Sequence, residues 1–195
     1  MARRPGERRP DGRAPSLAAL LKSVRILFLD VDGVLTDGSI ILLPGGDEQK
    51  IFDVKDGTGI VWASWIGLRV ALVTGRKSLA LEERARELRI LHLRQKAVDK
   101  VAAAREILEE CHLDFSQAAA MGDDYGDLAL LRRVALPTCP ADAHTDLRRE
   151  CLWQSRYPGG HGAVRELVEK IIRARKLMPE ILRKYGLRQM QPRSA

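Results

Sequence analysis

The strongest constraint on the fold is a four-residue apolar run, Ile26-Leu27-Phe28-Leu29, that breaks off into Asp30-Val31-Asp32-Gly33. A continuous apolar run of this length suits a strand covered on both faces, the kind found at the centre of a parallel sheet. Side chains two apart on an extended backbone leave on the same face, so Asp30 and Asp32 can both point into one small space at the strand's carboxyl end. Two carboxylates that close repel each other. A bound cation relieves the repulsion, and Mg²⁺, which takes oxygen ligands, is the simplest to propose. A calcium loop of the EF-hand type fails on spacing, because Val34 and Ile41 stand where it needs Asp or Asn and a Glu. The same residues also read as an Asp-rich turn leaving a strand.

The rest of the chain alternates strand-like and helix-like segments. Ser39–Leu43 and Ile51–Val54 are β-prone runs around Pro44, Gly45 and Gly46 and predict a hairpin. Asp56 is placed to cap a helix from about Thr58 to Trp65, in which Trp62 and Trp65 read as core or subunit contacts. Arg69–Thr74 predicts a second buried strand ending in Thr74-Gly75-Arg76, followed by a helix over Leu79–Leu88. His92 falls in a short strand, Lys100 opens a helix, Ala118–Met121 is a further strand stopped by Gly122-Asp123-Asp124-Tyr125-Gly126-Asp127, and Val134–Leu136 is another. This alternation specifies an α/β fold with a doubly wound, mostly parallel sheet, in which ligands gather at the carboxyl ends of the strands.

That rule joins scattered residues into one constellation. Asp30, Asp32, Thr74 and Asp123 all end strands, and Lys100 starts a helix near the same edge. Carboxylates, a hydroxyl, a lysine and Mg²⁺ are the equipment of phosphoryl transfer: a nucleophile, charge neutralisation at the transferred group, and a proton donor for the leaving oxygen. Taken singly, Thr74 also reads as a strand-end turn residue, Lys100 as a solvated helix start, and Asp124 or Asp127 as a helix cap. His161, among Gly159, Gly160 and Gly162, reads as part of a turn before a helix near Ala163.

Charge and cysteine content narrow the partners. The 195 residues carry a net charge of +7, but five arginines lie within the first fifteen residues and seven Lys or Arg lie from 173 onward. The body between is slightly acidic, which argues against a nucleic-acid groove. Three domain segments follow: a disordered basic tail over 1–15, a catalytic body over 16–172 and a basic extension over 173–195. The first segment lacks the apolar core of a secretory signal, and no run reaches membrane-spanning length. Three cysteines, Cys111, Cys139 and Cys151, fit neither a disulfide framework nor a zinc site, so a reducing cytoplasm is expected.

Four ordered motifs now carry a resemblance. Asp-x-Asp-Gly-Val-x-Thr after one strand, Thr-Gly-Arg after a second, a Lys, and Gly-Asp-Asp-x-x-Asp after a third resemble the haloacid dehalogenase superfamily of phosphatases. Within it, DVDGVLTDG, FDVKDGTGI, VTGRKS, MGDDYGD, ADAH and GGHGAVREL resemble the family that dephosphorylates 3-deoxy-D-manno-octulosonate 8-phosphate in lipopolysaccharide sugar biosynthesis. The resemblance spans about Arg25 to Lys170. It implies that Asp30 attacks phosphorus and that Asp32 protonates the departing sugar oxygen and then activates water. Thr74 and Lys100 would hold the phosphoryl oxygens. Mg²⁺ would be bound by Asp30, the backbone carbonyl of Asp32 and Asp123, with Asp124 and Asp127 in support from outside.

Specificity and assembly are implied in the same way. Nonulosonate 9-phosphate phosphatases share the catalytic motifs, but their strand-end motif reads Thr-Gly-Glu-Lys. Arg76 and Glu87 here resemble the octulosonate branch, with Arg76 as the substrate-binding residue. A catalytically silent scaffold is the reading from another class, and the intact aspartate and lysine set counts against it. There is room for a hairpin but not for a cap domain, and capless relatives are tetramers, so a homotetramer with the hairpin at its interface is expected. Three positions depart from the family pattern: Asp53 replaces Asn, Lys55 replaces Arg, and Lys96 replaces Gly.

Overall fold

A computed structural model of the chain describes residues 15–187, apart from residue 46. Helix α1 (Leu17–Ser23) leads into strand β1 (Ile26–Leu29), followed by a hairpin of β2 (Ile41–Leu42) and β3 (Glu48–Gln49). Then come α2 (Val54–Trp65), β4 (Arg69–Val73), α3 (Leu79–Glu87), β5 (His92–Arg94) and α4 (Lys100–Glu110). The chain continues through β6 (Ala118–Met121), α5 (Tyr125–Leu131), β7 (Leu136–Cys139), α6 (Thr145–Glu150), β8 (Trp153–Gln154), α7 (Ala163–Ala174) and α8 (Met178–Lys184).

Six strands form one parallel sheet in the order β5-β4-β1-β6-β7-β8. β1 is central and all four of its residues are buried. The two-residue period of a strand splits it between two cores. Leu27 and Leu29 join Leu72, Met121 and the apolar faces of α1, α2, α3, α7 and α8, whereas Ile26 and Phe28 join Val73, Ala120 and the faces of α4, α5 and α6. Each fully buried Leu or Phe contributes about 1.5–3 kcal/mol of transfer free energy. Helices on both faces leave only the strand ends open, and those ends are where the site lies.

The doubly wound sheet expected from the sequence is the one observed, with several local corrections. The second hairpin strand is Glu48–Gln49, not Ile51–Val54, and α2 starts at Val54 with Asp53 as its N-cap. Asp and Asn are equivalent caps, so the departure at position 53 preserves the capping of α2. Asp56 caps a different helix: its carboxylate accepts from the backbone N–H of Gly162 at 3.0 Å and of Arg165 at 2.8 Å, at the start of α7. The last main strands are Leu136–Cys139 and Trp153–Gln154, one shifted from expectation and the other, like α1 and α6, unanticipated.

Much of the expected terminal tail lies outside the described residues. The boundary drawn at 172 falls inside α7, and residues up to 187 pack on the body: Ile181 is buried, and the Tyr185 hydroxyl accepts from Trp62 Nε1 at 2.9 Å. Among the described residues no helix is long and apolar enough to cross a membrane.

Candidate active site

β1 pairs with both β4 and β6, so Asp30, Thr74 and Asp123 emerge side by side at one edge of the sheet. The loop after β1 is tightly wound, with the N–H groups of Leu35 and Thr36 both donating to Val31 O, at 2.9 and 3.0 Å. Gly33 has φ of +93°, and a Cβ there would run into the Asp123 carboxylate. The Gly159-Gly160 turn presses on this loop from the other side, its Gly160 N–H donating to Val34 O at 2.9 Å. Gly159 N–H in turn donates to Asp142 Oδ1 at 2.9 Å. Only residues without side chains allow these backbones to lie so close. The glycines around His161 thus form the expected turn, which buttresses the loop carrying Asp32.

Two charged clusters stand on this platform. In the first, Lys100 Nζ at the start of α4 donates to Asp30 Oδ1 and Asp127 Oδ1, both at 2.7 Å. The second oxygen of Asp127 accepts from the Asp123 N–H at 3.1 Å. Asp30, Asp123 and Asp127 each offer a carboxylate oxygen within 4.8 Å of the others. Burial, and then the neighbouring Asp127, push Asp30 up to about 6 against the pull of Lys100. Burial, followed by Asp30, Asp127 and Asp124, pushes Asp123 up to about 7. Burial works to lower the Lys100 ammonium, but Asp30 and Asp127 outweigh it and hold the group above its usual range. An all-oxygen, all-carboxylate donor set whose negative charge exceeds what one lysine offsets fits a hard divalent cation.

The second cluster lies toward the hairpin. Lys50 Nζ bonds Asp32 Oδ1 and sits 3.0 Å from Glu48 Oε1, while Arg76 bonds Glu48 Oε2 and brings its Nε to 3.8 Å from Asp32 Oδ2. Burial would raise Glu48, but Arg76 and Lys50 hold its carboxyl below the ordinary range. The Lys50 side chain is only 3% exposed.

The structure therefore divides the residues read from the sequence. Asp30, Lys100 and Asp123 meet in one cluster, and Asp127 stands inside that cluster rather than around it. The Asp32 side chain turns to the hairpin, where Arg76 also lies. Thr74 is buried at the end of β4, its hydroxyl accepting from the Arg76 N–H at 3.2 Å. Asp124 is exposed and caps α5 through the Tyr125 N–H at 2.7 Å. Glu87 is on the surface, paired with Arg84.

Glu48 and Lys50 do not stand out in the sequence because the hairpin strand expected over Ile51–Val54 lies instead over Glu48–Gln49. Their i,i+2 spacing, which sends both side chains to one face of an extended segment, was the signal available. Lys96 is exposed with φ of +55°, a conformation that suits Gly and strains other residues.

Such a constellation on such a sheet defines a haloacid dehalogenase-type hydrolase, and the model of the haloacid dehalogenase-like hydrolase family matches residues 85–167. The 3-deoxy-D-manno-octulosonate 8-phosphate phosphatase KdsC of Salmonella typhimurium is 36% identical over 167 residues, 86% of this chain and 89% of that protein. The KdsC of Yersinia pestis is 40% identical over 152 residues, 78% of this chain and 81% of that protein. The crystal structure of the Moraxella catarrhalis phosphatase in complex with magnesium, phosphate and KDO superposes with a TM-score of 0.83 at 32% identity, covering 86% of this chain and 97% of that one. The chain belongs to the 3-deoxy-D-manno-octulosonate 8-phosphate phosphatase (KdsC) family.

Proposed function

We propose that this protein hydrolyses the phosphomonoester of 3-deoxy-D-manno-octulosonate 8-phosphate with Mg²⁺ as cofactor, releasing the sugar acid and inorganic phosphate. The observation that carries this reading is the pair of clusters: a carboxylate set around Lys100, and Asp32 beside it with a side chain reserved for another task. Asp30 attacks phosphorus and the bond to the sugar oxygen breaks, leaving an aspartyl-phosphate. Asp32 donates a proton to the departing oxygen, then takes one from the water that cleaves the aspartyl-phosphate. Thr74 and Lys100 bind phosphoryl oxygens. Asp30, Asp123 and the backbone carbonyl of Asp32 would hold Mg²⁺, with Asp127 beside them. When bound, the ion supplies neutralisation of the transferred group's charge. Asp127 keeps Lys100 in place; Asp124 is a cap at the margin.

Arg76 offers a planar fork for the substrate carboxylate. In the structure Glu48 occupies that fork, so the substrate carboxylate must compete with it. Phosphate release from the octulosonate 8-phosphate is expected to exceed that from a nonulosonate 9-phosphate, in kcat/KM, and to vanish with a chelator. Arg76→Glu should narrow or reverse the preference while an unspecific aryl phosphate is still turned over. Preference for the nine-carbon substrate would favour the nonulosonate reading, and no release from either would favour a silent scaffold.

The active assembly is a homotetramer in which a neighbouring subunit covers the crevice. Supporting this, Ile40, Ile41, Leu42, Leu43 and Ile51 on and beside the hairpin are all exposed, a run of apolar surface costly to leave in water. A fully active monomer by light scattering at assay concentration would contradict it. A cytoplasmic location fits the three free cysteines.

A further inference from the structure

Lys50 belongs to neither the nucleophile nor the phosphate cradle, yet its side chain is only 3% exposed at the mouth of the site. Almost no lysine is buried this far unless it is paired. Its partners are Asp32 Oδ1 and, at 3.0 Å, Glu48 Oε1. The other Asp32 oxygen, Oδ2, is buried without a hydrogen-bond partner, its nearest cation being Arg76 Nε at 3.8 Å. The two oxygens of one carboxyl thus differ in kind. One is occupied by a donor and the other is free.

We propose that Lys50 is a positioning residue for leaving-group protonation: by occupying Oδ1 it fixes the Asp32 rotamer and leaves Oδ2 as the atom that carries the proton to the sugar oxygen. An ammonium has donors only, so a proton on Asp32 cannot share Oδ1 with Lys50 and sits on Oδ2. Glu48 completes the device. With Arg76 on its second oxygen it holds Lys50 from behind, and before Asp32 takes up its proton the four side chains carry two charges of each sign. The proton passes from Oδ2 to the departing alkoxide as the P–O bond breaks, and its electron pair stays on Asp32.

This inference rests on the proposed role of Asp32 and is tested through leaving-group dependence. A sugar alkoxide needs a proton to depart, whereas 4-nitrophenolate hardly does. The quantity to measure is kcat/KM, which reports the steps up to aspartyl-phosphate formation, on octulosonate 8-phosphate relative to 4-nitrophenyl phosphate, with Mg²⁺ present. Positioned acids contribute about 10²–10⁴-fold. Lys50→Met should therefore lower the ratio about 100-fold relative to wild type, in the same sense as Asp32→Asn. Glu48→Gln/Lys50→Met, which removes both buried charges, should show the same fall and guards against a variant that merely orphans Glu48. Equal losses on both substrates, or recovery of the ratio in the double variant, would overturn the role of Lys50. If Asp32→Asn itself leaves the ratio unchanged, the acid assignment falls and this inference with it.

Discussion

The two clusters at the sheet edge are built from the same side-chain chemistry and differ in charge balance and in scaffold. Around Lys100, Asp30 and Asp127 bond one ammonium and Asp123 stands close to both, and the three carboxylates are held together by two strand ends, bearing Asp30 and Asp123, and by the first turn of α5, bearing Asp127. Around Asp32, two carboxylates and two cations balance in charge while leaving Asp32 Oδ2 without a hydrogen bond, and half of the members come from a two-stranded hairpin rather than from the sheet. A rigid scaffold can hold an excess of one charge until a ligand balances it. A short hairpin holds its charges only when they already balance. The first arrangement suits a metal and a phosphoryl group; the second suits a sugar acid that must displace one partner in order to bind.

Removing one charge from each cluster should separate them. Asp127→Asn takes away one of the two anchors of Lys100 and is expected to lower kcat by about 100-fold while weakening Mg²⁺ binding. Glu48→Gln should instead change kcat/KM for the sugar phosphate, with Mg²⁺ affinity in calorimetry left where it was. Equal effects of the two changes on Mg²⁺ affinity would show that the clusters act as one.

pH should discriminate next. Asp30 at about 6 and Asp123 at about 7 both lie above the ordinary carboxylate value. The metal-free folded protein therefore binds more protons than the unfolded chain, and the stability this contributes is full below about pH 4 and is lost as pH rises through 6 and 7. Mg²⁺ needs the ionised carboxylates, so its apparent affinity should climb by up to about tenfold per pH unit for each displaced proton across that window, with proton release on binding. The gain in Tm from Mg²⁺ should be larger at pH 7.5 than at 5.5, and a pH-independent gain would remove these two groups from the metal site.

The smallest effect concerns the loop behind Thr74. Lys96 adopts a left-handed conformation there, with its N–H donating to Arg76 O at 3.3 Å. Lys96→Gly should raise stability by about 1 kcal/mol in denaturant unfolding and leave the catalytic parameters alone. A loss of stability would mean that the strain is relieved elsewhere.

The parallel sheet and the first cluster, apart from the place of Asp127 inside it, were legible in the sequence because both follow from short-range signals: apolar runs of strand length, and polar residues at the points where those runs stop. Strand-end placement then brought Asp30, Thr74 and Asp123 together without any knowledge of the loops. The second cluster was not legible. Its geometry depends on where a hairpin folds back, and residues 39–54 contain enough β-branched and apolar positions to allow more than one register. Asp56 failed for a related reason. Its spacing suits a local helix cap, and only the packing of α2 against α7 brings it to the start of a helix more than one hundred residues away.

The identity of the nucleophile is tested most directly by trapping it. Wild-type protein mixed with octulosonate 8-phosphate and Mg²⁺, quenched in acid within one turnover and digested, should yield one phosphorylated peptide, that containing Asp30. The label should be absent with chelator and absent in Asp30→Asn, whose turnover should fall by about 10³-fold or more while its thermal unfolding remains cooperative. A label on any other residue, or substantial turnover by Asp30→Asn, would contradict the proposed chemistry.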